Sequence, residues 1–293
     1  MNRKCNHLLQ NSVKKETKFM ASAYEIKKQL CDIGRRIYQN GFVAANDGNF
    51  SVKISENEFY CTPTGVSKGY MTPDMILKVD GQGNMLEPNA KYKPSSEFKM
   101  HLRVYQERPD VTAVVHAHPP VATAHAVCGM PLDSMIMPEV IIFLGEVPLT
   151  KYGTPSTMEI PEAISDALKD HDAVLLENHG ALSVGVDLTQ AYFRMETLEY
   201  WAKVSLYAKQ LGGAQELTCE QIERLIEIRK QMKLPGRHPG CSRCANRGTD
   251  KCRCMTPEQK ASCAAKPAAA ANPASNEAMI REITQKVLAS LGK

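Results

Sequence analysis

Three histidines near two short apolar segments carry the strongest chemical signal in the sequence. In Val111-Thr-Ala-Val-Val-His-Ala-His118 the segment reads as a strand, and two-residue alternation sends the imidazoles of His116 and His118 to one face. That geometry can chelate one metal ion. The third, His179, closes Leu175-Leu-Glu-Asn-His-Gly180, where the glycine is expected to let the backbone turn directly after the ligand. Three histidines from two strand ends make a facial site with open positions, which suits a catalytic zinc that must also hold substrate. A closed structural zinc would take a fourth protein ligand. His-x-His alone is common, and His101, His125, His171 and His238 show how freely histidine occurs here. Those four are given no role.

Pro94-Ser-Ser-Glu97 reads as the start of a helix spanning residues 95–108, with Phe98, Leu102 and Tyr105 on one stripe and Pro109 after it. Two hydroxyls and free backbone N–H groups at a helix start favour a phosphate. Glu97 would lie beside it. Near a divalent ion, such a carboxylate can remove a proton from a carbon next to a carbonyl, because the metal stabilises the charge that develops. A capping serine with a first-turn glutamate would give the same letters. Asn46-Asp-Gly-Asn-Phe-Ser51 and Thr62-Pro-Thr-Gly65 read on their own as hairpin turns. Neither has the spacing of a dinucleotide or P-loop fingerprint, which argues against a nucleotide cofactor.

The elements that must position these groups are marked by their caps. Ser22 with Glu25 opens a helix carrying Ile26, Leu30, Ile33 and Ile37, and Gly41 sits at the C′ position. Asp187 with Gln190 opens another that stops at Gly212 and Gly213, and Thr218 with Gln221 opens a third. Residues 111–115, 173–176 and 181–184 are short, apolar and rich in β-branched residues, so they read as strands. Mixed in this order, they predict an α/β domain.

A chain of 293 residues with 43% hydrophobic content can bury one substantial core. The formal charge of +4 is small, and no basic stretch is interleaved with aromatics, so nucleic acid is not the expected partner. No apolar run reaches signal-peptide or membrane-spanning length, so the chain is expected in the cytoplasm. Cys31, Cys61, Cys128 and Cys219 are scattered through a core-forming segment and are expected to be reduced thiols.

In order, Gly48-Asn49, Thr64-Gly65, Ser95-Ser96-Glu97, His116-x-His118 and Asn178-His179-Gly180 resemble the class II aldolase/adducin family over residues 22–232. The resemblance implies a single α/β domain of three layers, with a central, mainly antiparallel sheet flanked by helices. It implies that Gly48, Asn49, Thr64, Gly65, Ser95 and Ser96 hold a substrate phosphate. His116, His118 and His179 would hold one Zn2+ per subunit, and Glu97 would be the acid/base. The implied reaction is reversible cleavage of a ketose 1-phosphate, such as L-fuculose or L-rhamnulose 1-phosphate, to dihydroxyacetone phosphate and L-lactaldehyde. A homotetramer with fourfold symmetry is the implied assembly. The same fold includes pentulose-phosphate 4-epimerases, a thioribulose-phosphate dehydratase and noncatalytic adducin-like scaffolds. Glu97 favours an aldolase over the epimerases, which tend to carry aspartate there. The three histidines disfavour a scaffold. Where fuculose aldolases place a tyrosine that protonates the aldehyde side, this chain has Pro138, so the resemblance assigns no second proton donor.

Both ends fall outside the resemblance. Residues 1–20 read as an N-terminal extension, with Met20 as an alternative start, and residues 21–232 as the catalytic domain. Residues 233–275 turn to Cys, Pro and Ala and read as a linker. Residues 276–293 place Ile280, Ile283, Val287, Leu288 and Leu291 on one stripe of a short amphipathic helix. That arrangement resembles the encapsulation peptides that carry enzymes into bacterial microcompartments by docking on a shell protein. Cys241, Cys244, Cys252 and Cys254 could converge on a further metal, although the spacing matches no standard site and a reduced linker is the expected reading.

Overall fold

The computed structural model describes residues 22–240. The N-terminal extension, the cysteine cluster and the amphipathic tail therefore lie outside the described residues. Seven strands form one sheet: β1 (Asn49–Ser55), β2 (Glu58–Cys61), β3 (Leu77–Val79), β4 (Ala113–Ala117), β5 (Leu149–Thr150), β6 (Ala173–Leu176) and β7 (Gly180–Gly185). Their order is β3-β2-β1-β4-β7-β6-β5. Every pairing is antiparallel except that of β5 with β6.

The central strands are apolar on both sides, so the sheet has to be covered on both faces. Ala113, Val115, Ala117, Ala173, Leu175 and Ala181 point into one core. There they meet α1 (Ala23–Gln39), α3 (Pro120–Val127), α4 (Pro138–Phe143) and α6 (Leu188–Gln210). The intervening residues Val114, Val174, Leu176, Leu182 and Val184 point into a second core against α2 (Phe98–Glu107) and α5 (Glu159–Ser165). The result is the three-layer α/β domain implied by the sequence. Alanines on the first face leave room for the large buried side chains of α6, Tyr192 and Trp201. A last helix, α7 (Cys219–Gln231), anchors through Arg229, whose Nη1 donates to Ile142 O at 2.7 Å. No helix among the described residues is long and apolar enough to cross a membrane.

Local signals and tertiary context divide the boundaries between them. The caps are where the sequence places them: Ser22 and Thr218 form capping boxes, and the Asp187 side chain accepts from the Gln190 N–H. Four expectations shift. The strand read at 111–115 is β4, two residues later, because Val111 N–H is tied back to Arg108 O in a turn. This puts His116 inside the strand. The helix read from residue 95 begins at Phe98, since Ser95 and Ser96 form a preceding turn in which Phe98 N–H bonds Ser95 O. The turn before β7 is made by Asn178 at φ +55°, whereas Gly180 is needed for close approach: a Cβ there would meet His118 Cδ2 at 2.5 Å. Finally, packing does not stop at Lys233. Arg194 and Arg229 donate to Pro235 O and His238 Nε2 bonds Ile141 O, so residues 233–240 belong with the domain.

Candidate active site

Strand register assembles the site. Asn49 on β1 pairs with His116 on β4, Ala117 pairs with Ala181 on β7, and Leu176 pairs with Gly180 across the turn that carries His179. One nitrogen from each of His116, His118 and His179 lies within 4.8 Å of the others. His116 is fully buried, and its Nδ1–H donates to Ala181 O at 3.0 Å, which leaves the Nε2 lone pair facing inward. The Nε2 atoms of His116 and His118 are 3.2 Å apart. Burial, followed by the neighbouring His118 and His179, holds His116 well below the usual histidine range. Burial also lowers His179, against the pull of Glu97. The first of these rings is thus neutral at physiological pH and the third is biased the same way, as metal ligands must be.

Glu97 stands over this group. Its Oε2 accepts from Asn49 Nδ2 at 2.8 Å and lies 3.6 Å from His116 Nε2, while its Oε1 lies 3.3 Å from His179 Nε2. Asp47 Oδ2 sits 3.5 Å from His118 Nδ1. Glu97 Oε1 and His179 Nδ1 are buried and have no hydrogen-bond partner among the described residues. Buried polar atoms are rarely left so. Three converging imidazoles, a neighbouring carboxylate and orphaned atoms together fit a divalent zinc with room for a ligand.

Beside the histidines is a cleft of about 230 Å³ that gathers Gly48, Asn49, Thr64, Ser95, Ser96, Glu97, His118 and His179 from five separate stretches of sequence. Gly65, at φ +70°, shapes the turn after Thr64 without lining the cleft. Larger grooves of about 460 and 490 Å³ lie elsewhere and contain none of the three histidines, so size does not mark this site. The structure adds residues that sequence reasoning passed over. Lys68 Nζ donates to Asn46 O at 2.8 Å and Val66 O at 2.7 Å, tying together the two glycine-bearing loops. Burial lowers its pKa to about 8, against the opposing carboxylates of Asp47 and Glu97. Ser156, at φ +69°, places its Oγ 2.7 Å from Ser96 Oγ at the cleft edge. His101, which received no role, is buried behind Asn49 with its Nε2 2.6 Å from Asn49 Oδ1. Its position four residues after Glu97, on the same helical face, was the available signal.

Residues 28–206 match the family described as Class II Aldolase and Adducin N-terminal domain. A protein of Methanocaldococcus jannaschii named L-fuculose phosphate aldolase is 34% identical over 180 residues, which cover 61% of this chain and 95% of that one. A protein of Escherichia coli named 3-oxo-tetronate 4-phosphate decarboxylase is 33% identical over 184 residues, covering 61% and 85%. The solved structure of an L-fuculose 1-phosphate aldolase superimposes with a TM-score of 0.65 at 30% identity, covering 73% of this chain and 100% of that one.

Proposed function

The chain belongs to the class II aldolase and adducin family, and from that membership we propose that it is a zinc-dependent aldolase acting on a ketose 1-phosphate, L-fuculose 1-phosphate or L-rhamnulose 1-phosphate. The observation that carries this reading is the convergence of three imidazoles beside a carboxylate with an unpartnered oxygen. In it, His116, His118 and His179 hold the metal. Zinc there would supply a Lewis acid for negative charge developing on the substrate's oxygens. Glu97 returns a proton to the carbon next to the ketone when the sugar is cleaved, and removes the same proton when the reaction runs backwards. Gly48, Asn49, Thr64, Ser95 and Ser96 hold the phosphate, Gly65 shapes the turn that presents Thr64, and Lys68 supplies positive charge to a cleft that otherwise faces Asp47 and Glu97. The products are dihydroxyacetone phosphate and L-lactaldehyde.

The Escherichia coli relative favours a second reading. Loss of CO2 from a 3-oxo-tetronate 4-phosphate also leaves dihydroxyacetone phosphate. Both reactions break a bond to the carbon beside the same ketone and must reprotonate that carbon. They differ only in the departing electrophile, an aldehyde or CO2. The test is therefore to incubate the protein with the three substrates, with and without a chelator, and to identify the co-product. Chelator-sensitive release of L-lactaldehyde supports the aldolase. Release of CO2 alone would replace it with the decarboxylase.

We further propose a homotetramer, as in the family, and delivery to a microcompartment shell by residues 276–293, which lie outside the described residues. The apolar stripe and the confinement of a reactive aldehyde support this delivery. Deleting residues 276–293 should leave turnover intact and abolish co-assembly with shells.

A further inference from the structure

Behind Glu97 runs a line of buried polar side chains, of which the ligand set and the phosphate loops account for Asn49 alone. Tyr105 OH lies 2.7 Å from Ser51 Oγ, and Ser51 Oγ lies 2.7 Å from His101 Nδ1. His101 Nε2 lies 2.6 Å from Asn49 Oδ1, and Asn49 Nδ2 lies 2.8 Å from Glu97 Oε2. Ser51, His101, Asn49 and Tyr105 are at most 5% exposed, so bulk water does not compete for these bonds.

The direction of each bond follows from its end. An ionised Glu97 can only accept, so Asn49 must turn its amide nitrogen to Oε2 and its oxygen to His101. Facing an oxygen, His101 Nε2 must carry the proton. Burial keeps this ring uncharged by pushing its pKa down to about 3, so Nδ1 is an acceptor and takes the Ser51 hydroxyl proton. Ser51 Oγ in turn accepts from Tyr105. Every donor points toward the carboxylate. If the Asn49 amide flipped, it would set oxygen against carboxylate on one side and N–H against N–H on the other. His101 therefore holds Asn49 in one orientation.

We infer that His101, backed by Ser51 and Tyr105, is a positioning residue that fixes the Asn49 amide, so that Asn49 occupies Glu97 Oε2 and leaves Oε1 to move the proton. The second hydrogen of the same amide remains available to the substrate phosphate. This rests on the reading of Glu97 as the group that exchanges a proton with the carbon beside the ketone, a step common to aldolase and decarboxylase.

Exchange of that carbon-bound proton of dihydroxyacetone phosphate with D2O, followed by NMR on the zinc-loaded enzyme, isolates this step. His101→Leu should slow exchange roughly 10–100-fold at unchanged zinc content, the range typical of an outer-shell partner. His101→Gln should recover most of the rate, because its amide can donate to Asn49 and accept from Ser51. Wild-type rates in both variants would overturn the inference. So would equal slowing in both, which is the signature of lost packing alone. If His101→Leu does not fold, Ser51→Ala carries the same test, with slower exchange expected and an unchanged rate overturning it. Nitrogen NMR of histidine-labelled protein reads the relay without substrate. A neutral Nε2–H form of His101 from pH 5 to 8, disturbed by Asn49→Ala, supports it. An Nδ1–H form or a charged ring overturns it. If wild-type protein shows no exchange, the reading of Glu97 fails, and the nitrogen spectra still decide the relay.

Discussion

The antiparallel pair β4 and β7 ends in two buried polar clusters of opposite character. At one end stand His116, His118, His179 and Glu97. At the other, Asp172 is 1% exposed, with Arg108 Nη2 2.7 Å from Oδ1 and Arg194 Nη2 2.6 Å from Oδ2. The remaining guanidinium hydrogens of Arg108 are also engaged, and Arg194 makes two backbone bonds. Arg108 bonds Asp110, Leu168 O and His171 O, while Arg194 bonds Val184 O and Pro235 O. In this second cluster charges of opposite sign meet: each Asp172 oxygen has a guanidinium against it, although Oδ2 makes no hydrogen bond to any described residue. In the first, two ring nitrogens face each other and a carboxylate oxygen has no partner. Burial alone does not distinguish a site from a scaffold. What distinguishes them is whether opposite charges are already matched within the cluster, since like groups gathered in a buried place persist only where something else holds them there.

Four measurements test that contrast, taken from the largest expected effect to the smallest. Glu97→Gln should lower turnover by roughly 10²–10⁴-fold while zinc content and urea midpoint stay near wild type, because the ligands survive and only the proton acceptor is lost. Full turnover would end the assignment. Asp172→Ala should do the reverse. It strands buried arginines, so unfolding free energy should fall by about 3–5 kcal/mol, with unchanged zinc affinity in the folded fraction. Loss of zinc binding without loss of stability would mean that the two ends are not separate. His179→Ala should weaken zinc binding by more than the roughly 10–100-fold that losing an outer-shell partner costs, with little change in the apo-protein's stability.

The fourth test is acid titration. His101 is held near 3, and His116 lies well below its ordinary value, so between pH 6.5 and pH 3 the unfolded chain takes up protons that the native rings do not. Their contribution is fully present above pH 6.5 and declines as pH falls. For His101 the cost should be about 1.5 kcal/mol between pH 6.5 and 5, with His116 acting in the same direction. Urea midpoints of the apo-protein at these two pH values measure the loss, and His101→Gln should reduce it by about that amount. An unchanged slope in that variant would mean that the acid sensitivity arises elsewhere.

What could be read before folding follows from the range of the forces involved. The capping boxes at Ser22 and Thr218, the cap at Asp187, and the short apolar runs of β4, β6 and β7 each depend on residues within one turn or one strand of each other. The three histidines were legible because two are spaced across the end of one strand and the third abuts a turn. Lys68, Ser156 and His101 were not, since each acquires its place from a partner 20 to 60 residues away. Arg194 likewise gains its meaning from Asp172 and Pro235.

The sequence by itself determined the helices α1, α2, α6 and α7, the strands β4, β6 and β7, and which side chains could bind a metal or move a proton, while the remaining strands and the short helices α3, α4 and α5 were not read from it. Only the tertiary structure decided that Asn49 lies opposite His116, that His101 stands behind Asn49, and that the chain stays packed as far as Gly240. The reason is physical. Propensity and capping act over a few residues, whereas strand register and buried hydrogen bonds depend on which distant segments become neighbours, and many sequences compatible with the same local pattern would pair them differently.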